Sequence, residues 1–413
     1  MRLRRNPAFV VFWSARTISF AGTGITTIVL PVLVYAMTRS PAWVAALGLI
    51  EFVPYLAFGL LAGAVADRVN RKKIMVACDV IAAFLLAAVP AAAVLHLLGI
   101  AQVLIVALGI ATVYVWFDAA NFGTLPALVD RGELPVAASL IGSTGQVALL
   151  CAPTAGAALL TVMSPPYALG FDAVSYLISA LLLMSIRRPF ARSRPEQAPR
   201  QIRADIAEGL RFLWHQPVIR TMSLSVTCIC LGWGGTFGLL VVYANRALHL
   251  TRVDVRLGLL YSVGELGGLL STLAVPVLIK RLAIGPTAAA LLAANAAALA
   301  FLAVAPSYGW ALLAFFLDEL TYVTVLATGI TLRQMLTPDH LQARVNTAGR
   351  MLAGAGLPLG AALGGFLAES LPIRLAFGLL TIGVMAGAGL AGWSCMGSRP
   401  LAAVAVPVPD APA

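Results

Sequence analysis

Apolar runs of about 20 residues recur from one end of this chain to the other, and no other property restricts its fold so severely. A soluble chain of 413 residues would divide into several cores joined by polar linkers, whereas here the apolar runs follow one another with little between them. Charged residues are 11% of the chain against about a quarter in soluble domains, too few to cover it in water. Lipid is the solvent this sequence fits. Lipid offers backbone groups no partners, so each run must be helical.

Twelve spans are expected, at residues 8–37, 42–66, 74–98, 100–123, 136–163, 166–186, 219–245, 255–279, 284–305, 308–332, 347–370 and 374–397. At 1.5 Å per residue each can cross a hydrocarbon core of about 30 Å. The first follows Arg2, Arg4 and Arg5 but is longer than the apolar part of a signal peptide, and is read as a retained span. The chain is thus expected to be an all-α polytopic membrane protein, and an even count returns the C-terminus to the side of the N-terminus.

Cations orient it, because Lys and Arg resist translocation. With the N-terminus inside, Arg2, Arg4, Arg5, Arg68, Arg71, Lys72, Lys73, Arg131, Lys280, Arg281, Arg333, Arg344, Arg350 and Arg399 are cytoplasmic, while Arg39, Arg246, Arg252, Arg256 and Arg374 lie outside. The formal charge of +11 follows from this asymmetry and calls for no nucleic acid. Both termini are thus expected to be cytoplasmic.

The longest connection, 187–218, carries seven arginines and divides the chain nearly in half. It sets expected domains at 1–188 and 219–397, a basic linker at 189–218 and a cytoplasmic tail at 398–413. Between Gln201 and Trp214, Ile202, Ile206, Leu210 and Leu213 recur at helical spacing, as in a surface helix on anionic headgroups or in a solvated linker. The halves also echo each other: aligning spans two and eight sets Glu51 opposite Glu265 and Asp67 opposite Arg281. Such a repeat suggests a binding site at the pseudo-symmetry interface. Small-residue ladders at Gly59 and Gly63, at Gly264 and Gly268, and at Gly356, Gly360 and Gly364 suggest close helix packing.

Between spans two and three the chain reads Gly63-Ala64-Val65-Ala66-Asp67-Arg68-Val69-Asn70-Arg71-Lys72. This resembles the signature loop of the major facilitator superfamily, with Asn70 where the family usually has a glycine, a residue that tolerates a left-handed backbone. Further stretches extend the resemblance to the drug, macrolide and siderophore (enterobactin-type) exporters of that family: Leu128–Pro135, Phe171–Tyr176, Glu208–Trp214 and Arg333–Pro338. The resemblance implies two pseudo-symmetric six-helix bundles around a central cavity, export of a small molecule by alternating access, and coupling to protons. Span five keeps the kinking proline of an antiporter motif in Ala152-Pro153-Thr154-Ala155-Gly156-Ala157, and Asn121 stands where many drug exporters have an arginine.

Ionisable groups within spans need a reason, since one at the bilayer centre costs at least about 2.5 kcal/mol on insertion scales. Glu51, Glu265, Asp318 and Glu319 fall at about equal depth, about 14 to 17 Å from the external helix ends, with no Lys or Arg in that layer. They are the candidate proton-coupling or substrate-binding groups, proton and cationic substrate competing for one site. Nearer the cytoplasm, Arg16 is expected to pair with Asp118 or Asp79 as a gate, together with Gly63, Asp67, Arg68 and Arg71 of the signature turn. Trp13, Phe20, Trp116, Trp233, Phe237 and Tyr322 lie on the four spans that the resemblance sets beside the cavity.

Other chemistry is sparse. The five cysteines fall within spans without ligand spacing, His96, His215, His249 and His340 sit at helix ends or loops, and no phosphate-binding loop surrounds any of the three lysines. The reading is a monomeric, cofactor-free transporter without metal or ATP, whose partners are a small-molecule substrate, protons and lipids. A siderophore or anionic-metabolite exporter, and a non-transporting sensor or scramblase, are the alternatives. Topology is testable: with native cysteines removed, Arg194→Cys is expected to react with an impermeant thiol reagent in everted vesicles and not in intact cells, the opposite pattern inverting the orientation.

Overall fold

Prolines and caps start the helices. Pro7, Pro41, Pro165 and Pro217 each stand at a first helical position, where a missing N–H removes no bond. The computed structural model describes residues 3–122, 124–130, 132–187, 190, 202–251, 254–281, 284–338 and 341–393. Among them every regular element is helical: α1 (Pro7–Thr38), α2 (Pro41–Arg68), α3 (Arg71–Val94), α4 (Ile100–Phe122), α5 (Leu125–Leu128), α6 (Leu134–Val162), α7 (Pro165–Ser185), α8 (Ile202–His215), α9 (Pro217–Gly238), α10 (Leu240–Arg246), α11 (Val255–Arg281), α12 (Ile284–Val304), α13 (Tyr308–Leu336), α14 (Gln342–Ser370) and α15 (Ile373–Trp393). Of these, 11 are long and apolar enough to cross a membrane on their described residues. The 27-residue α11 occupies the remaining expected position. Most of the linker, Arg131, His340, Cys395 and the tail at 398–413 lie outside the described residues, as do the side chains of Asp67 and Arg68.

One expected span is not continuous. Residues 219–245 form α9 and α10, interrupted at Leu239. Leu239, Leu240, Val241, Val242 and Tyr243 are all buried, so the break is held by packing and leaves no mark in hydrophobicity.

The chain packs as two compact units, residues 1–198 with 238–265, and 199–237 with 266–413. In the first, α1 packs against α6 and α7, α3 against α7 and α4, and α2 against α4. The short α10 docks on the end of α1, where Tyr35 Oη donates to Asn245 Oδ1 at 3.3 Å and receives the Arg246 Nε–H at 3.3 Å. In the second, α12 packs against α13 and α15, and α14 against α8 and α15. The amphipathic helix expected around Gln201–Trp214 is α8. Leu213 is fully buried, Gly209 lies on the main chain of Arg344, and Glu208 pairs with Arg344, while Leu210 and Trp214 are exposed.

Burial runs against the pattern of a soluble helix. On α7 the buried residues include Asp172, Ser175, Tyr176 and Ser179, and the exposed ones are Phe171, Val174, Leu177, Ile178 and Leu181. Apolar side chains facing out and polar ones facing in are what hydrocarbon surroundings require.

The glycine ladders behave differently from one another. A Cβ at Gly360 would sit 1.9 Å from Leu231 O and one at Gly356 2.3 Å from Thr227 O, so α14 lies against the backbone of α9. A Cβ at Gly63 meets nothing within 4 Å among the described residues, and one at Gly59 only Tyr55 of its own helix at 4.0 Å. Among the described residues nothing packs closely on Gly63, because the pattern reports small residues and not what faces them. Gly360→Val is expected to cost about 1–3 kcal/mol or more, seen as a lower melting temperature of the detergent-solubilised protein, while Gly63→Val leaves it within experimental error.

Candidate functional site

Asp318 and Glu319 are adjacent on α13 and both buried. Neighbours on a helix differ by about 100° in direction, so the two carboxylates meet different partners. Asp318 turns to α12: Asn295 Nδ2 lies 2.9 Å from its Oδ1 and 3.0 Å from its carbonyl oxygen, while Oδ2 is buried without a partner. Glu319 turns to α9, where Trp233 Nε1 donates to Oε1 at 2.6 Å.

Trp233 joins that carboxylate to a stack. Its ring is nearly parallel to Phe237, at 4.4 Å between centroids, and to Tyr322, at 5.1 Å. Tyr322 is one turn beyond Asp318 and Glu319 on α13, and Phe237 one turn beyond Trp233 on α9. Three of the six expected aromatic residues therefore converge beside a buried acid. The other three lie elsewhere, Phe20 lining a separate cavity that it shares with Asp79. Trp13 donates to Thr144 Oγ1 at 2.8 Å, Trp116 packs against Phe58, and Phe20 lies under Arg16.

Glu51 is exposed on α2 and Glu265 half-buried on α11. Neither makes a side-chain hydrogen bond among the described residues.

Arg16 lies on α1 in the first unit and is 6% exposed. The ion pair expected with Asp79 or Asp118 is not formed. The guanidinium instead stands over the rings of Phe20 and Phe117, 4.3 and 4.6 Å from their centroids. Stacking and cation–π attraction hold it there. Asp79 is fully buried with neither oxygen bonded, and Asp118 is exposed on α4. Arg16, Asp79, Ser19, Thr23, Tyr114 and Tyr176 help to line a cavity of about 110 Å³.

In the signature turn Asn70 does not adopt a left-handed backbone. Its φ is −62°, and it caps α3, its Oδ1 accepting from Lys72 N at 3.0 Å. Asparagine is a strong capping residue, which accounts for its place in a turn where a glycine is usual. Arg71 Nε donates to Ala66 O at 3.2 Å, and Lys72 Nζ closes the end of α7 on Met184 O and Ile186 O at 2.8 and 2.6 Å. The basic residues of the turn thus tie helix ends together.

Sequence reasoning missed a polar cluster between α1 and α7. Asp172, 1% exposed, accepts from Thr26 Oγ1 at 2.5 Å and Ser175 Oγ at 2.8 Å, and Thr23 and Tyr176 share a bond at 3.1 Å. Gly22 makes room, since a Cβ there would lie 2.0 Å from Ser175 Oγ. Asp172 was legible as a carboxylate in mid-span, but only its neighbours on α1 reveal that it is satisfied. Arg333, read from the sequence only as a cytoplasmic cation, is buried near the end of α13, where its Nε donates to Asn346 Oδ1 at 3.1 Å.

Buried acids and a buried arginine, held among helices that turn aliphatic faces outward, define a polytopic α-helical membrane protein. The chain belongs to the Major Facilitator Superfamily, whose sequence model matches residues 12–357. It is 25% identical over 387 residues to the multidrug efflux pump Tap of Mycolicibacterium fortuitum, covering 92% of this chain and 93% of that protein. To the enterobactin exporter EntS of Salmonella typhi it is 26% identical over 399 residues, covering 93% and 92%. Among solved structures, the nucleoside transporter NupG matches with a TM-score of 0.77 at 14% identity over 93% of this chain and 98% of its own, a likeness of fold alone. The chain is accordingly a multi-pass transporter of small molecules and not an enzyme.

Thr26→Val removes one donor from buried Asp172. It is expected to cost about 1–3 kcal/mol, measured as a drop in melting temperature that the neighbouring Thr27→Val, whose hydroxyl bonds only Thr23 O of its own helix, does not share.

Proposed function

We propose that this protein exports a lipophilic, positively charged small molecule from a bacterial cell in exchange for protons, by alternating access. The observation that carries the reading is the stack of Phe237, Trp233 and Tyr322 beside Glu319, with Asp318 at the next position. Aromatic faces attract cations and planar apolar bodies, and a buried carboxylate adds charge complementarity. A cation-shaped site follows from those two features together. Relatives named as a multidrug efflux pump and an enterobactin exporter support outward transport.

Proton coupling rests on the same carboxylates. A proton and a cation neutralise a buried acid equally well, so each displaces the other. Asp318 Oδ2, buried and unpartnered, is the atom free to accept that proton. Loading from one side and protonation from the other then drives exchange.

The test is flux in everted vesicles against ethidium, a neutral lipophile and an anionic siderophore, with and without an imposed pH gradient. Ethidium is expected to accumulate only with the gradient. Glu319→Gln is expected to reduce that accumulation at least tenfold, and Asp318→Asn to weaken its dependence on the gradient, both at normal protein levels. Transport of the anion alone, or ethidium flux indifferent to the gradient, overturns the reading.

A further inference from the structure

Within the first unit, five helices enclose the cavity of about 110 Å³ that Arg16 and Asp79 share. Both side chains are buried, yet the Arg16 Nε, both Asp79 oxygens and the Ser179 hydroxyl have no hydrogen-bond partner. Native interiors rarely leave such groups unmatched, and a buried charge costs several kcal/mol unless it is paired or neutralised. Asp172, by contrast, is satisfied by Thr26 and Ser175. The cavity is therefore built around an unbonded carboxyl group and a guanidinium that is held by aromatic rings with its Nε unbonded.

The groups around Asp79 decide what it can take. Arg16 approaches from α1, Asp172, Tyr176 and the Ser179 hydroxyl from α7, and Cys78 is its own neighbour on α3, while Tyr114 and Asp118 of α4 act on Arg16. Asp79 and Asp172 against one guanidinium disfavour an anion. A metal cation would stand beside the fixed charge of Arg16. A proton meets neither objection, because it neutralises Asp79 and adds almost no volume.

We infer that Asp79 is a second proton-binding site, separate from the substrate-binding carboxylates of α13, so that two protons enter for each monovalent cation exported. The inference rests on the proton-coupled export proposed above. With Asp79 protonated, Arg16 has no anion to join and lies on Phe20 and Phe117, the arrangement seen here. With Asp79 ionised, the guanidinium crosses the cavity and forms the ion pair that the sequence suggests. One proton binds from one side of the membrane and the same proton leaves to the other.

Charge counting tests this. Two protons in for one monovalent cation out moves one net charge, so a membrane potential alone must drive transport. In proteoliposomes of the full-length protein at equal pH on both sides, a valinomycin-imposed potential of about 100 mV is expected to drive uphill ethidium exchange, with a limit of roughly fifty-fold for one charge. Asp79→Asn is expected to keep pH-gradient-driven ethidium transport, which also reports its folding, and to lose the response to potential. Asp79→Glu should retain both. A wild-type protein that responds to the pH gradient but not to potential overturns the second site, as does an Asp79→Asn protein that still responds to potential. If neither Asp79→Asn nor Asp79→Ala reconstitutes, the wild-type ratio decides: one proton per ethidium refutes the proposal and two support it. A wild-type protein indifferent to the pH gradient instead refutes the proton-coupled reading on which the inference rests.

Discussion

Hydrocarbon solvates neither a peptide group nor a charge, and this organises the molecule. The first restriction makes every span a helix; the second turns polar side chains toward other helices. The consequence is clearest on α7, whose buried face carries an acid, two serines and a tyrosine while its exposed face is aliphatic and aromatic. Inside a unit, polar groups therefore act as specific joints. Thr26 and Asp172 fix α1 to α7, Asn295 and Asp318 fix α12 to α13, and Trp233 and Glu319 fix α9 to α13. Between aliphatic helices in lipid no hydrophobic drive distinguishes one register from another, so a few such bonds, with close backbone contacts like that at Gly360, select the packing.

This explains what was legible in the sequence. Span length and the alternation of spans with short polar turns are one-dimensional quantities, and most observed helices begin and end within a few residues of where hydropathy sets them. Depth is one-dimensional too, which is why Asp318, Glu319 and Arg16 could be singled out by counting. Rotation about the helix axis is not. Whether Asp318 meets α12 or α9, whether Arg16 meets an acid or two rings, and whether Gly63 or Gly360 touches a neighbour all depend on the azimuth of a second helix. The break at Leu239 escaped for a related reason: both sides of it are apolar and buried, so no change of composition marks it.

Asn70 shows how a departure from a family pattern can be physically conservative. A glycine serves a turn by its freedom, an asparagine by its side-chain oxygen, and both allow α2 to end and α3 to begin within two residues. The substitution exchanges backbone tolerance for a cap without lengthening the turn.

The two units differ in how they handle internal charge. In the first, Arg16 shares its surroundings with Asp79 and Asp172, so opposite charges lie within one set of helices and can compensate each other. In the second, Asp318 and Glu319 rely on neutral donors, Asn295 and Trp233, and the buried Arg333 lies about four turns further along α13, bonded to Asn346. Neutral donors stabilise a carboxylate without cancelling its charge. A cluster of that kind keeps a net attraction for any cation that reaches it, be it a proton or an organic ion, whereas a compensated cluster responds chiefly to the gain or loss of its own proton. The contrast follows from where one arginine falls in the chain: on α1 at the depth of the acids, and on α13 well beyond them.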